Sequence, residues 1–361
     1  MPNHALRGLL LVLLTSSFPA QAVVLRHDRP LSETERAAEP LSSAAHFDPD
    51  GCGALVAPDW VLTAAHVARG LSPFGQVVRV AGHEALIDEV LFHPRSARIP
   101  EQAPEVDAAL VHLGQPIPNV APAPLYPRDD EIGRIAIVGG FGDFGHAHDP
   151  ELSPQDRVPR AVTNRIEGTL HDYLFIRFDE PPDATELEGV GGSGDSGGPL
   201  YLEDEGVHWL AGISSFTIGK SMEYGSADHY LRVSTIQGWV RETVSGPGPP
   251  APRIVDLTQE GSPEGPLADL ARLFVAAFNL GPAVFDVFAA MNEGSAAWAG
   301  FGGRHAIYGD LVPLRYAETA DDHVALLVTL QGMGGHRVVN LWTDPSGSRL
   351  RDVAFGIAKA P

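Results

Sequence analysis

Gly191-Gly192-Ser193-Gly194-Asp195-Ser196-Gly197-Gly198-Pro199 is the stretch that decides how the rest of this chain is read. A serine stands among glycines, with an acid directly before it and a proline shortly after. Glycine has no Cβ, so this backbone can turn sharply and bring its N–H groups close to a substrate. The N–H groups of Gly194 and Ser196 can then converge on one oxygen, where they would stabilise the charge that develops as a carbonyl is attacked.

A serine hydroxyl is a weak nucleophile until a base takes its proton and an acid orients that base. Two upstream runs offer both. Trp60-Val61-Leu62-Thr63-Ala64-Ala65-His66 is an apolar, strand-like run that ends in small residues and a histidine. Glu105-Val106-Asp107-Ala108-Ala109-Leu110-Val111-His112-Leu113 places Asp107 at the head of another apolar run. As purely structural residues, His66 would be a polar core residue, Asp107 a strand-start cap and Ser196 a turn serine. Their joint occurrence favours nucleophilic chemistry.

Thr63-Ala64-Ala65-His66, Asp107-Ala108-Ala109-Leu110 and Gly194-Asp195-Ser196-Gly197-Gly198-Pro199 resemble the three signatures of the trypsin-like (chymotrypsin-fold) serine proteases, in that family's chain order and of the bacterial secreted type. Gly51-Cys52-Gly53-Ala54-Leu55-Val56 resembles the strand before the histidine motif. Gly140-Phe141-Gly142 is similar to the family's Gly-Trp-Gly strand, and Gly212-Ile213-Ser214-Ser215-Phe216 to the strand lining the cleft. The resemblance covers residues 23 to 244 and implies an all-β double six-stranded antiparallel barrel. His66 and Asp107 would come from the first barrel and Ser196 from the second.

The same resemblance implies roles. His66 is the base, Asp107 its orienting acid and Ser196 the nucleophile, with Gly194 and Ser196 forming the oxyanion hole. Ser215 would hydrogen-bond the triad acid. In the family, a freshly made N-terminal amine pairs with the acid before the serine, here Asp195, and signal cleavage would expose Val23 for that pairing. Val190 stands where trypsin has the aspartate of its pocket floor, and Phe216 and Thr217 line the entrance. Small or medium apolar residues before the scissile bond are therefore expected. Asp228 falls at a second pocket-wall position, where a cavity-facing carboxylate would readmit basic side chains. Cys52 is the only cysteine, so no intramolecular disulfide can form, and the family's usual partner position is occupied by Val67. Cys52 is expected to be a small buried hydrophobe.

Composition fits a globular chain. At 361 residues the chain exceeds one ordinary core, and 44% hydrophobic with 20% charged residues argues against wholesale disorder. A net charge of −21 disfavours nucleic acid, which needs basic patches. Residues 1–22 read as a secretory signal: Arg7, the apolar run Leu9 to Leu14, and the small-x-small site Ala20-Gln21-Ala22. That run is too short for a stable membrane anchor. A secreted or periplasmic chain starting at Val23 is expected, acting on a protein or peptide. No cofactor or metal is expected; His146 and His148, in a loop with Asp149, could bind a metal but read rather as solvated loop residues.

Short apolar runs punctuated by Gly, Pro and Asp extend through the protease region: Gln76 to Val80, Ile87 to Phe92, Ala108 to Leu113, Ile135 to Val138, Tyr173 to Phe178 and Trp209 to Ile213. Ser234 to Val244 carries Ile236, Trp239, Val240 and Val244 on one helical stripe, with Ser234 as a cap. Residues 245–265 read as a Pro/Gly-rich linker. Residues 266–361 read as a smaller α+β accessory domain: helices within Pro266 to Met291, then strands at Leu311 to Tyr316, His323 to Leu330, Arg337 to Trp342 and Arg349 to Ile357. Asp321, His323 and His336 read there as surface or strand-end residues. Two other functions fit the protease-like residues: an esterase using the same triad, and a binding protein that keeps the fold without turnover.

Overall fold

The computed structural model describes residues 23–48, 50–96, 106–149, 152–258, 265–292, 304–318, 323–344 and 349–357. The signal segment 1–22, Glu105, Asp321, the His323 side chain and residues 259–264 of the expected linker lie outside this description.

Two closed six-stranded antiparallel barrels carry the site. The first is built from Ala44–Phe47, Cys52–Ala57, Trp60–Thr63, Val77–Val80, His83–Phe92 and Ala109–Leu113. Its inward positions are apolar, and Phe47, Leu55, Val61, Val78, Val80 and Val111 are fully buried. The second contains Ile135–Gly140, Arg160–Leu170, Tyr173–Arg177, Pro199–Asp204, Val207–Ile218 and Ala227–Arg232. Alternation explains most of these strands, because a period of two puts one side chain inward and the next outward. In Arg160–Leu170 the inward apolar series, Val162 and Ile166, is interrupted by Asn164. Asn164 is buried and donates to the carbonyls of Arg177 and Gly189, both at 2.8 Å. A polar residue thus joins that strand to its neighbours from inside the core.

A small third sheet sits beside the second barrel. Val24–Leu25 pairs antiparallel with Gly189–Val190 and parallel with Gly145–His146. Val23, Val24, Leu25 and Val190 are fully buried in one apolar cluster with Tyr230. The start of the described chain is therefore a core element and not a surface arm.

The helix after the second barrel spans Val233–Ser245, with Ile236 and Val240 buried. Its cap is Arg232, which makes no side-chain capping bond, so Ser234 lies inside the first turn and is not the cap. The segment expected to be irregular linker is also shorter than 245–265. Arg253–Asp256 pairs with Leu311–Glu318 as the edge of the second region's sheet. Only Val255 is buried in that short run, so it carries no alternating apolar signal, and prolines precede it.

The sheet continues as an antiparallel meander through His323–Leu330, His336–Thr343 and Leu350–Ile357. Helices Pro266–Asn279 and Pro282–Met291 cover one face, where Phe274, Phe278 and Phe285 form the core. The other face rests on the first barrel. Phe74 packs among Ala317, Ala325, Leu327 and Val338. Asn340, fully buried, donates to the carbonyls of Arg69 at 2.8 Å and Leu71 at 2.9 Å. Arg69 forms an ion pair with the fully buried Asp352 and lies over the Trp342 ring.

Candidate active site

His66 sits in the short helix Ala65–Ala68, immediately after the strand Trp60–Thr63. Asp107 lies just before the neighbouring strand Ala109–Leu113, whose Ala109 pairs with Thr63. Strand pairing therefore brings the two side chains together. Asp107 Oδ1 accepts from the His66 backbone N–H at 3.0 Å, and Oδ2 meets His66 Nδ1 at 2.7 Å. Ser215, from the second barrel, donates to the same Oδ2 at 2.6 Å.

Asp107 is only 2% exposed. Burial by itself would push its carboxyl up. Hydrogen bonds and charge from His66, with the Ser215 hydroxyl, outweigh burial and hold it below the usual carboxylate value. An ionised Asp107 fixes the proton on His66 Nδ1 and leaves Nε2 free to act as a base. Tyr173 is a neighbour that the sequence did not single out. Burial, then the Asp107 charge, push its hydroxyl up to about 12. It is therefore neutral across the working pH range. Its signal in the sequence was only that of an ordinary strand aromatic.

Ser196 is half-buried and borders the same cavity as His66. Among the described residues no hydrogen bond joins the two side chains. Such contacts are often long in a ligand-free site and tighten on substrate. The turn around Ser196 is forced by its glycines. Gly197 has φ +77°, and a Cβ there would lie 2.3 Å from both the Cys52 carbonyl and Thr63 Oγ1. Ser196 is held to the first barrel by its own carbonyl, which accepts from Cys52 N at 2.8 Å. The backbone N–H groups of Gly194 and Ser196 have no acceptor among the described residues, as an oxyanion hole requires.

Cys52 is buried, and its thiol donates to the Gly194 carbonyl at 3.1 Å. Burial, then the Asp195 charge, push that thiol well up. Asp195 is itself buried and accepts from the N–H groups of Gly142 at 3.1 Å and Gly192 at 3.2 Å. Burial outweighs those bonds and raises its carboxyl to about 7. Among the described residues Asp195 has no cationic partner, and no hydrogen bond joins it to Val23.

Of the expected pocket residues, Thr217 is bonded to Asp228, whereas Ser215 is bonded to Asp107. Asp228 Oδ1 accepts from Thr217 Oγ1 at 2.7 Å and its Oδ2 from Gly191 N at 3.0 Å. Burial pushes its carboxyl up to about 6 against these two bonds. Phe216 stacks on His229, with ring centroids 4.5 Å apart, and meets Tyr173 edge-on. Val190 is a strand residue of the small sheet and is fully buried in its apolar cluster, so its side chain is a core residue. His148 leaves the loop with His146 and Asp149 and approaches His27 and Glu180 at the surface, their ligand-type atoms all within 4.8 Å. His146 is instead bonded to the Arg29 carbonyl at 2.8 Å.

Residues 33–240 match the family model described as Trypsin. That match spans more than half of the chain, and the chain belongs to the trypsin family of serine proteases. Human serine protease 56 is 30% identical over 240 residues, which is 61% of this chain and 39% of that protein. Snake venom serine proteinase 14 of Crotalus adamanteus is 28% identical over 222 residues, 56% of this chain and 80% of that protein. The chain thus spans less than two fifths of the length of the human relative it matches. Mouse neuropsin, a serine protease expressed in the limbic system of mouse brain, aligns at 18% identity over 61% of this chain and 98% of its own, with a TM-score of 0.46. Among the described residues, no helix is long and apolar enough to cross a membrane.

Asp228 gives a pH test. Its folded pKa, about 6, lies above the ordinary aspartate value of about 4. The folded state therefore holds that proton more tightly, and the stability it contributes at low pH is lost as pH rises from about 4 to about 6. Urea midpoints of Ser196→Ala should fall over that range, and the added change Asp228→Asn should flatten the fall.

Proposed function

We propose that the chain is a secreted serine endopeptidase, which hydrolyses peptide bonds through an acyl-enzyme on Ser196. The observation that carries this reading is the His66–Asp107–Ser215 network beside Ser196, together with two N–H groups left open for an oxyanion. Ser196 Oγ attacks the scissile carbonyl while His66 Nε2 takes its proton. His66 then returns that proton to the leaving amine, and a water hydrolyses the ester by the same route in reverse. The segment 1–22 directs export and is removed at Ala22.

Small or medium apolar residues are favoured before the scissile bond. The support is that both Asp228 oxygens are already engaged by Thr217 and Gly191, and that the resemblance puts Phe216 and Thr217 at the entrance. One observation favours a second reading, a basic residue: Asp228 is buried without a cationic partner among the described residues. Full-length protein starting at Val23 is expected to digest casein and to cleave peptidyl anilides ending in Ala or Val fastest. Fastest cleavage after Arg or Lys selects the second reading, and ester hydrolysis without any peptide cleavage selects an esterase.

Activation by the N-terminus belongs to the same proposal. Val23 is buried beside the strand leading to Asp195, and that buried carboxyl, raised to about 7, has no cationic partner among the described residues. A free amine at Val23 supplies one, ionises Asp195 and orders the Gly192–Ser196 loop. One extra residue placed before Val23 should lower kcat/KM by about a hundredfold, the scale of a lost oxyanion donor. Unchanged kcat/KM removes the activation step and leaves the triad reading intact.

A further inference from the structure

The C-terminal region does not hang clear of the cleft. A cavity of about 460 Å³ beside Ser196 and His66 is walled on one side by Asp50, Gly51 and Val67 of the first barrel and on the other by Ala354, Phe355 and Gly356. The last strand of the accessory sheet therefore borders the same cavity as the reacting groups. None of the acyl-side residues, Val190, Ser215, Phe216, Thr217 or Asp228, lines this cavity.

The placement is held tightly. Asp352, Ala354 and Gly356 alternate along one face of Leu350–Ile357, and that face meets the first barrel. Asp352 pairs with Arg69. Gly356 approaches the Gly70 carbonyl so closely that a Cβ on it would sit 2.3 Å from that oxygen. Between those two anchors Ala354 is only half-buried and opens to the cavity. The buried Asn340 clamps the Arg69 and Leu71 carbonyls, just after the His66 helix.

His66 must hand its proton to the leaving amine, so the leaving segment lies next to the imidazole. A cavity that touches His66 and avoids the acyl-side residues is where that segment goes. We propose that the strand Leu350–Ile357 forms one wall of the binding site for substrate residues after the scissile bond, and that this site prefers a cationic side chain. The preference comes from the charges on the rim. Arg69 is committed to Asp352, and Asp48 to Arg79 and Arg157. Asp50 is exposed, accepts only from the neighbouring Gly51 N–H at 2.9 Å, and has no cationic partner among the described residues. The site thus recognises peptides with Lys or Arg following the cleavage point.

This inference rests on Ser196 forming an acyl-enzyme, and its test separates the two. Full-length protein starting at Val23 is acylated with a peptidyl methyl ester, whose leaving group is too small to need the cavity. Argininamide or norleucinamide is then added. The amine attacks the acyl carbonyl, the bond to Ser196 Oγ breaks, and the amine's proton returns through His66 to that oxygen. The ratio of aminolysis to hydrolysis is taken within one acyl-enzyme, so acylation rate does not enter it. Argininamide should give a higher ratio than norleucinamide. Asp50→Asn should abolish the difference, and Ala354→Trp should lower both ratios by about tenfold, the effect of losing one modest contact. Ratios unchanged in Ala354→Trp overturn the wall. Equal ratios for the two amides in the parent overturn the charge preference. No acylation of the parent ends the protease reading itself.

Discussion

A single buried carboxylate joins the two barrels at the point where they matter. Asp107 takes two contacts from His66, in the first barrel, and one from Ser215, in the second. Burial of an unpaired carboxylate is costly, and it is tolerated here because each oxygen is engaged. The three donors can meet only if both barrels close and face each other in one register. The site is thus a consequence of packing between barrels, and neither barrel alone contains it.

A second tier of buried acids lies behind that carboxylate. Asp195 and Asp228 have their oxygens satisfied by backbone N–H groups and a hydroxyl, with no cation among the described residues. Both are shifted upward, whereas Asp107 is shifted downward. Burial pushes all three the same way, so the sign is decided by the partner. Asp107 has an imidazole and the other two do not. Groups driven in opposite directions within one cleft are characteristic of functional sites. Cys52 stands in the same neighbourhood as a buried thiol on the Gly194 carbonyl, and Val67 packs over Gly51 where a second cysteine would be expected in relatives.

The glycine-rich turn and the two upstream apolar runs were legible because their chemistry is local: small residues, an imidazole and an acid at the ends of strands. Strands such as Ala109–Leu113 and Ile135–Gly140 were legible for the same reason. Arg160–Leu170 was not, since Asn164 buries its amide on carbonyls that are distant in sequence. Arg253–Asp256 was hidden behind prolines and is a strand only because a partner strand reaches it. The docking of the second region on the cleft was the least legible of all. It is made by contacts between residues some 270 positions apart, such as Asn340 with the Arg69 carbonyl, which local pattern cannot foresee.

The most direct measurement is the rate at which a fluorophosphonate reagent modifies the chain starting at Val23, with the modified residue located by mass spectrometry. If imidazole, carboxylate and hydroxyl act as one unit, a single equivalent adds at Ser196, and Asp107→Asn slows the reaction by about 10⁴-fold, the scale of the same change in the well-studied protease template. Modification at another residue, or an Asp107→Asn rate equal to that of the parent, would contradict the account.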